Sequence, residues 1–317
     1  MSSMIRNMTL VFAIIGIFLL TACNGNEATN SDNNTEGKIY VVTTIAQIGE
    51  PLSVIGGERV VVNSLMGPSI DPHVYNATQS DISKIEKAEL IFFNGLNLEA
   101  NMVEIFEKIG EAKPVLAIGE SIDESNLLTD EEGSLDPHIW FHIDLWKEAL
   151  DHAVEELKQY SPEDADYFEE NKQDYFALLD ELKKDAEKLQ EIPVNNRYLV
   201  TAHDAFGYFG HMHGLEVVGL QGLSTDDEIG VSDINETIEL IEKYEVPAIF
   251  LESTINPNSI EAVLEGAQNI GLNVELGGEL YSDAMGEPGT EEGTYIGMYR
   301  YNVNTIYEAL IGGGANE

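Results

Sequence analysis

The stretch "SPEDADYFEENKQDYFALLDELKKDAEKLQEI", residues 161–192, decides the fold. It opens with Ser161 at a cap position and Pro162 in the first turn, where the amide that proline lacks would have no helical partner anyway. Behind them Phe168, Tyr175, Leu179, Leu182, Ala186 and Leu189 recur at spacings of three, four or seven, which marks one apolar helix face. Some thirty helical residues at about 1.5 Å each would reach about 45 Å. A rod of that length can run along a two-lobed protein and join its halves. A coiled-coil dimer is the competing reading, and it is the weaker one, because about four heptads of mixed aromatic and small residues make a poor seam.

Outward from the rod, strand-like and helix-like segments alternate on both sides. Before it, "KIYVVTTI" (38–45), "RVVVNSLM" (59–66), "LIFFNG" (90–95) and "PVLAIG" (114–119) read as strands. Between them "QSDISKIEKAE" (79–89) reads as a helix, with Ile82, Ile85 and Ala88 three apart behind a Ser/Asp start signal. After the rod, "RYLVTAH", "EVVGLQG", "PAIFLE" and "NVELGGELYSDAMG" are strands, and "DAFGYFGHMHG", "VSDINETIELIEKYE", "NPNSIEAVLEGAQNIG" and "YIGMYRYNVNTIYEALIGG" are helices. Alternation of this kind predicts an α/β fold: two βα lobes with parallel sheets, residues 38–160 and 193–317, joined by one long rigid helix over 161–192. Parallel sheets bind ligands at the carboxyl ends of their strands, so a site is expected in the cleft between the lobes.

The chain has seven histidines, and two of them are set identically. "GPSIDPHVY" (67–75) carries His73 behind Asp-Pro, and "DPHIW" (136–140) carries His138 the same way. His203 ends the strand "YLVTAH", and Asp283 follows the strand in "NVELGGELYS". The four recur at intervals of 65, 65 and 80 residues, two per lobe, all near strand carboxyl ends. Three imidazoles and a carboxylate gathered in a dry cleft are the donor set of a metal site. The proline before each of the two histidines restricts the local backbone and holds the ring ready. Asp71, Asp136 and Asp204 neighbour these positions and are the expected acceptors for ring N–H groups. His142 reads as packed between aromatic neighbours, His211 and His213 as cations at a helix end, and His152 as surface. Glu228 reads as a solvated loop acid, and Trp140 and Tyr281 as core or cleft wall.

The N-terminus gives an address. Arg6 precedes "LVFAIIGIFLL", eleven apolar residues, long enough for a signal-peptide core and shorter than the roughly 20 needed to span a bilayer. It runs into "LTAC", ending at Cys23, the only cysteine. The expectation is a lipoprotein signal over 1–22, lipid on Cys23, and a polar tether over 23–37; the alternative is an ordinary signal with an incidental cysteine. The full chain carries a net charge of −41. Phosphates would be repelled, so nucleic acid is excluded as a partner. Such acidity either attracts cations or suits a saline or alkaline exterior, and its spread along many helices favours the second.

"SLMGPSIDPHVYNATQSDISKIEKAELIFFNGLNLE", "DPHIWF", "VTAHDAFGYFGHMHGLEVVGLQGLST" and "GGELYSDAMGEPGTEEGTYIGMYRYNVNTI" together resemble the metal-binding lipoproteins of manganese and zinc ABC importers, most of all those of Gram-positive bacteria. The resemblance implies a monomeric, lipid-anchored protein at the extracellular face of the cell membrane. It implies that the transported ligand is one divalent cation, manganese first and zinc as the alternative. Delivery would be to a membrane permease and, through it, an ATPase. The family's ligand positions match His73, His138, His203 and Asp283, although many manganese-dedicated members have glutamate where this chain has His203. A secreted metal-dependent hydrolase and a surface adhesin are the rival classes. Neither is favoured: there is no H-E-x-x-H, no nucleophile setting, and four ligands suit capture better than turnover, so no enzyme is expected.

Overall fold

In the computed structural model, residues 37–226 and 228–312 are described, and the predicted signal, Cys23 and all but the last residue of the tether lie outside them. The first half holds strands β1 (Ile39–Thr43), β2 (Val60–Ser64), β3 (Leu90–Phe93) and β4 (Val115–Ala117) and helices α1 (Ala46–Gly56), α2 (Gln79–Lys87) and α3 (Val103–Gly110). Then come α4 (Ile143–Tyr160) and α5 (Ala165–Asp185). The second half holds β5 (Tyr198–His203), α6 (Gly207–His213), β6 (Glu216–Gln221), α7 (Val231–Tyr244), β7 (Ala248–Glu252), α8 (Asn258–Asn269), β8 (Glu275–Leu280) and α9 (Tyr295–Ile311). Both sheets are parallel, in the orders β2-β1-β3-β4 and β6-β5-β7-β8. Each therefore reverses direction of winding at one place, between β1 and β3 and between β5 and β7, and the crevice there opens at the carboxyl ends.

Burial explains why valine and isoleucine crowd these strands. β1 is covered on both faces, so it carries no polar alternation. In the second sheet, successive side chains of β5 enter two different cores: Leu199 faces the helices shared with the first lobe, and Val200 and Ala202 face α7 and α8. The larger core runs unbroken from β1 and β3 through α4 and α5 to Phe206, Phe250 and the α9 residues Tyr295, Met298 and Tyr299.

The linking element is the long helix expected, wound in two geometries. The chain is helical from Pro162 to Glu191, but the α-helix covers only Ala165–Asp185; Pro162–Asp164 and Ala186–Glu191 wind as 3₁₀ turns. The α segment alone is about 32 Å long, and with the 3₁₀ turns at about 2.0 Å per residue the helical run reaches the roughly 45 Å expected. The last turns tighten ahead of Pro193, which pushes Ile192 into the extended region where the helix cannot continue. The predicted face holds: Phe168, Tyr175, Leu179, Leu182, Ala186 and Leu189 are all buried. Its start packs on α1, where Asn171 donates to the carbonyl of Ile55 at 2.8 Å, and its end packs on α9.

Candidate metal centre

The two Asp-Pro-His copies are built alike at the backbone. Each aspartate folds back on the histidine two residues later, its Oδ1 accepting from the amide at 2.9 Å in both. Asx turns of this kind fix where the next side chain points. The copies then diverge. Asp136 also takes the ring, with Nδ1 of His138 at 2.7 Å from the same oxygen. Asp71 turns its other oxygen across the cleft and accepts from the hydroxyl of Thr225, in the loop after β6, at 2.6 Å. Asp71 therefore does not take the expected role at a ring: its oxygens are engaged by the His73 amide and the Thr225 hydroxyl.

His203 is the last residue of β5, and the carboxylate that holds it was missed by sequence reasoning. Glu252 ends β7, the neighbouring strand at the second sheet's reversal. Its Oε1 accepts from the amide of His203 at 2.8 Å, and its Oε2 lies 2.6 Å from Nδ1. The signal existed: Glu252 closes "PAIFLE" at a strand's carboxyl end, the same criterion that selected His203. Asp204 bonds to neither ring. It is a half-buried acid pushed up to about 6, by desolvation first and then by Asp136.

These devices aim the other nitrogens inward. Nε2 of His73 and Nε2 of His138 are 3.3 Å apart. Oδ2 of Asp283 is 3.2 Å from Nε2 of His203 and 3.7 Å from Nε2 of His73, and Oδ1 is 3.5 Å from Nε2 of His138. One ligand atom from each of the four residues lies within 4.8 Å of all the others. All four side chains are at most 3% exposed. Both oxygens of Asp283 and Nε2 of His203 are buried with no hydrogen-bond partner. Four donors around an ion at about 2.0–2.1 Å would stand about 3.3 Å apart at the corners of a tetrahedron, so the spacing fits a bound dication.

The electrostatics fit as well. Burial pushes His73 down to about 3 against the pull of Asp283, which keeps that ring neutral and its lone pair available. Burial also opposes charge on His203, but Glu252 and Asp283 outweigh it and hold the imidazole well above its ordinary range. Desolvation disfavours the charged form of Asp283, yet the charge and hydrogen bond of His203 keep it ionised, well below the usual carboxylate range. Glu252 and Asp283 together thus favour a proton on the His203 ring, and a dication would take that proton's place.

The remaining histidines lie outside this cluster. His142 caps α4, His152 is exposed, and His211 is exposed with its ring centroid 6.0 Å from that of His142. His213 departs from its expected role as a helix-end cation: it is buried, 2.7 Å from the hydroxyl of Tyr299, and desolvation lowers it to about 4, so it is neutral. Glu228 is exposed, and Trp140 is fully buried with its ring 5.3 Å from that of His138.

A family profile described as "Zinc-uptake complex component A periplasmic" matches residues 41–309. Manganese-binding lipoprotein MntA of Bacillus subtilis (strain 168) is 44% identical over 299 residues, which is 94% of this chain and 97% of that protein. Zinc-binding protein TroA of Treponema pallidum (strain Nichols) is 43% identical over 282 residues, 89% of this chain and 92% of that protein. The solved structure of periplasmic TroA superposes with a TM-score of 0.85, covering 86% of this chain and 99% of that one.

Proposed function

This chain belongs to the family of periplasmic component A proteins of zinc-uptake complexes, and from that premise we propose that it captures one divalent metal ion outside the cytoplasm and hands it to the permease of an ABC importer. The observation that carries this reading is the convergence of four buried donor groups, His73, His138, His203 and Asp283, on one centre. Among the relatives, the printed names speak of metal binding, which supports capture over turnover and gives no support to a hydrolase or an adhesin.

Manganese is the cargo we favour. Asp283 turns each oxygen toward a different imidazole, so a bidentate carboxylate would raise the donor count to five, and carboxylate oxygen suits manganese. Zinc is the second reading, favoured by three imidazole donors at near-tetrahedral spacing. Affinity alone does not choose between them, since zinc outbinds manganese at most sites of this kind. The proposal includes a lipid on Cys23 that holds a monomer at the outer face of the membrane, within reach of its permease and the ATPase beyond. The relative MntA is named as a lipoprotein, which supports the anchor.

Equilibrium dialysis of the purified body against manganese and zinc tests the site. One ion per chain is expected, with affinity lost by orders of magnitude in His73→Ala and Asp283→Ala and kept in His211→Ala. Equal losses in all three variants would overturn the ligand assignment. Growth rescue of a deletion strain by added manganese or by added zinc identifies the cargo.

A further inference from the structure

Asp283 is presented by a backbone that the opposite lobe holds. The carbonyl of Ser282, the residue before it, accepts from Nε2 of Gln47 on α1 at 3.4 Å and from Nε1 of Trp140 at 3.2 Å. Both donors belong to the first half of the chain, Ser282 to the second, and all three side chains are fully buried. Oε1 of Gln47 is buried without a partner, so this amide is set in place by its N–H group alone. Turned over, it would push its oxygen against the Ser282 carbonyl.

The segment beyond continues the attachment. The amide of Tyr295 donates to Glu50 on α1 at 3.2 Å, and its hydroxyl donates to the carbonyl of Trp140 at 2.6 Å. Ser282 is the point of this seam that touches the site. Asp283 is the one anionic donor and reaches all three imidazoles, so its withdrawal would dismantle the centre. Because Ser282 is its chain neighbour, withdrawal moves the carbonyl away from both donors.

We propose that Gln47 and Trp140 form a clasp across the cleft, gripping the Ser282 carbonyl so that the metal leaves only when the clasp opens. This rests on the reading of the four residues as ligands. Gln47 is a positioning residue in this scheme, acting on the metal through Asp283. A permease that engages α1 or the segment after β8 would release cargo by parting these bonds.

The test is Gln47→Leu, which keeps the bulk and removes the donor. Metal-loaded protein is mixed with excess fluorescent chelator in a stopped-flow instrument, with zinc and then with manganese. Release is expected to be about five- to tenfold faster, the effect of losing one hydrogen bond, while the association rate and the metal-free Tm stay at wild-type values. Should the leucine variant not fold, Gln47→Met makes the same measurement. Unchanged release from a folded variant overturns the clasp. So does faster release matched by an equal loss of metal-free stability, which would make Gln47 ordinary core. Failure of the wild-type protein to bind either ion would instead defeat the functional reading, and it would appear before any variant is made.

Discussion

Asp136 and Glu252 touch no common centre, yet each fixes an imidazole that does. Glu252 accepts from the amide of His203 with one oxygen and sets the other 2.6 Å from the ring nitrogen Nδ1, a close charge contact that uses both oxygens. Glu252→Gln supplies one acceptor and one donor, so with the amide bond kept the ring can pair only as the tautomer whose proton sits on Nε2, the nitrogen that a metal would need. Metal affinity should fall about 10- to 100-fold, as for other carboxylates behind a ligating histidine, and chelator competition measures it. Wild-type affinity in this variant would remove Glu252 from the site. The same carboxylate helps keep His203 protonated, so metal entry must expel a proton. Affinity should therefore weaken as pH falls, with proton release on binding detectable in weakly buffered solution; pH-independent affinity between about 5 and 8 would contradict this. At this scale the sequence exposed the four candidate donors that converge, because histidine is scarce and Asp-Pro-His is a local signature. It showed Glu252 only as an acid at a strand end, and among 57 acidic residues nothing local names His203 as its partner.

At the scale of elements, the loop that carries His73 ends in a helix cap. Thr78 accepts from the amide of Asp81 at 3.3 Å, and Asp81 accepts from the amide of Thr78 at 2.9 Å, closing a capping box at the start of α2. Tyr75 ties the loop to the same carboxylate, its hydroxyl donating at 2.6 Å. Burial works against charge on Asp81, but the hydroxyls of Thr78 and Tyr75, the Thr78 amide and Lys84 bring it down to about 2. A carboxyl lowered by folding stabilises the protein above its unfolded value of about 3.9 and loses that contribution as pH falls towards 2. Asp81→Ala should cost about 1–2 kcal/mol at neutral pH, and the cost should shrink towards pH 2. Urea unfolding at both ends of that range measures it, and a constant difference would refute the electrostatic account. The sequence marked this helix but set its start signal at Ser80 and Asp81, two and three residues past the Thr78 cap.

For the whole molecule, the core decides how the cleft can open. Apolar packing is continuous from the first sheet through α4, α5 and α9 to the inner face of the second. A hinge rotation of one lobe would tear that packing, and surface exposed in this way is costly at about 25 cal/mol per Å². Metal-free and metal-loaded protein should give closely similar small-angle scattering, with changes confined to loops such as the one bearing Thr225. A large change in radius of gyration would show that the lobes swing.

The sequence by itself determined the fold class and the donor set. Strand and helix periods are written in residues a few positions apart, and the donors are rare residue types at strand ends. The 3₁₀ ends of the linking helix, the core shared by both lobes, the carboxylate behind His203 and the grip on Ser282 were decided only by tertiary structure. Gln47 and Ser282 stand 235 positions apart, and neither is unusual in its own neighbourhood. A contact between ordinary residues becomes specific only when folding removes water from both and leaves each the other as partner.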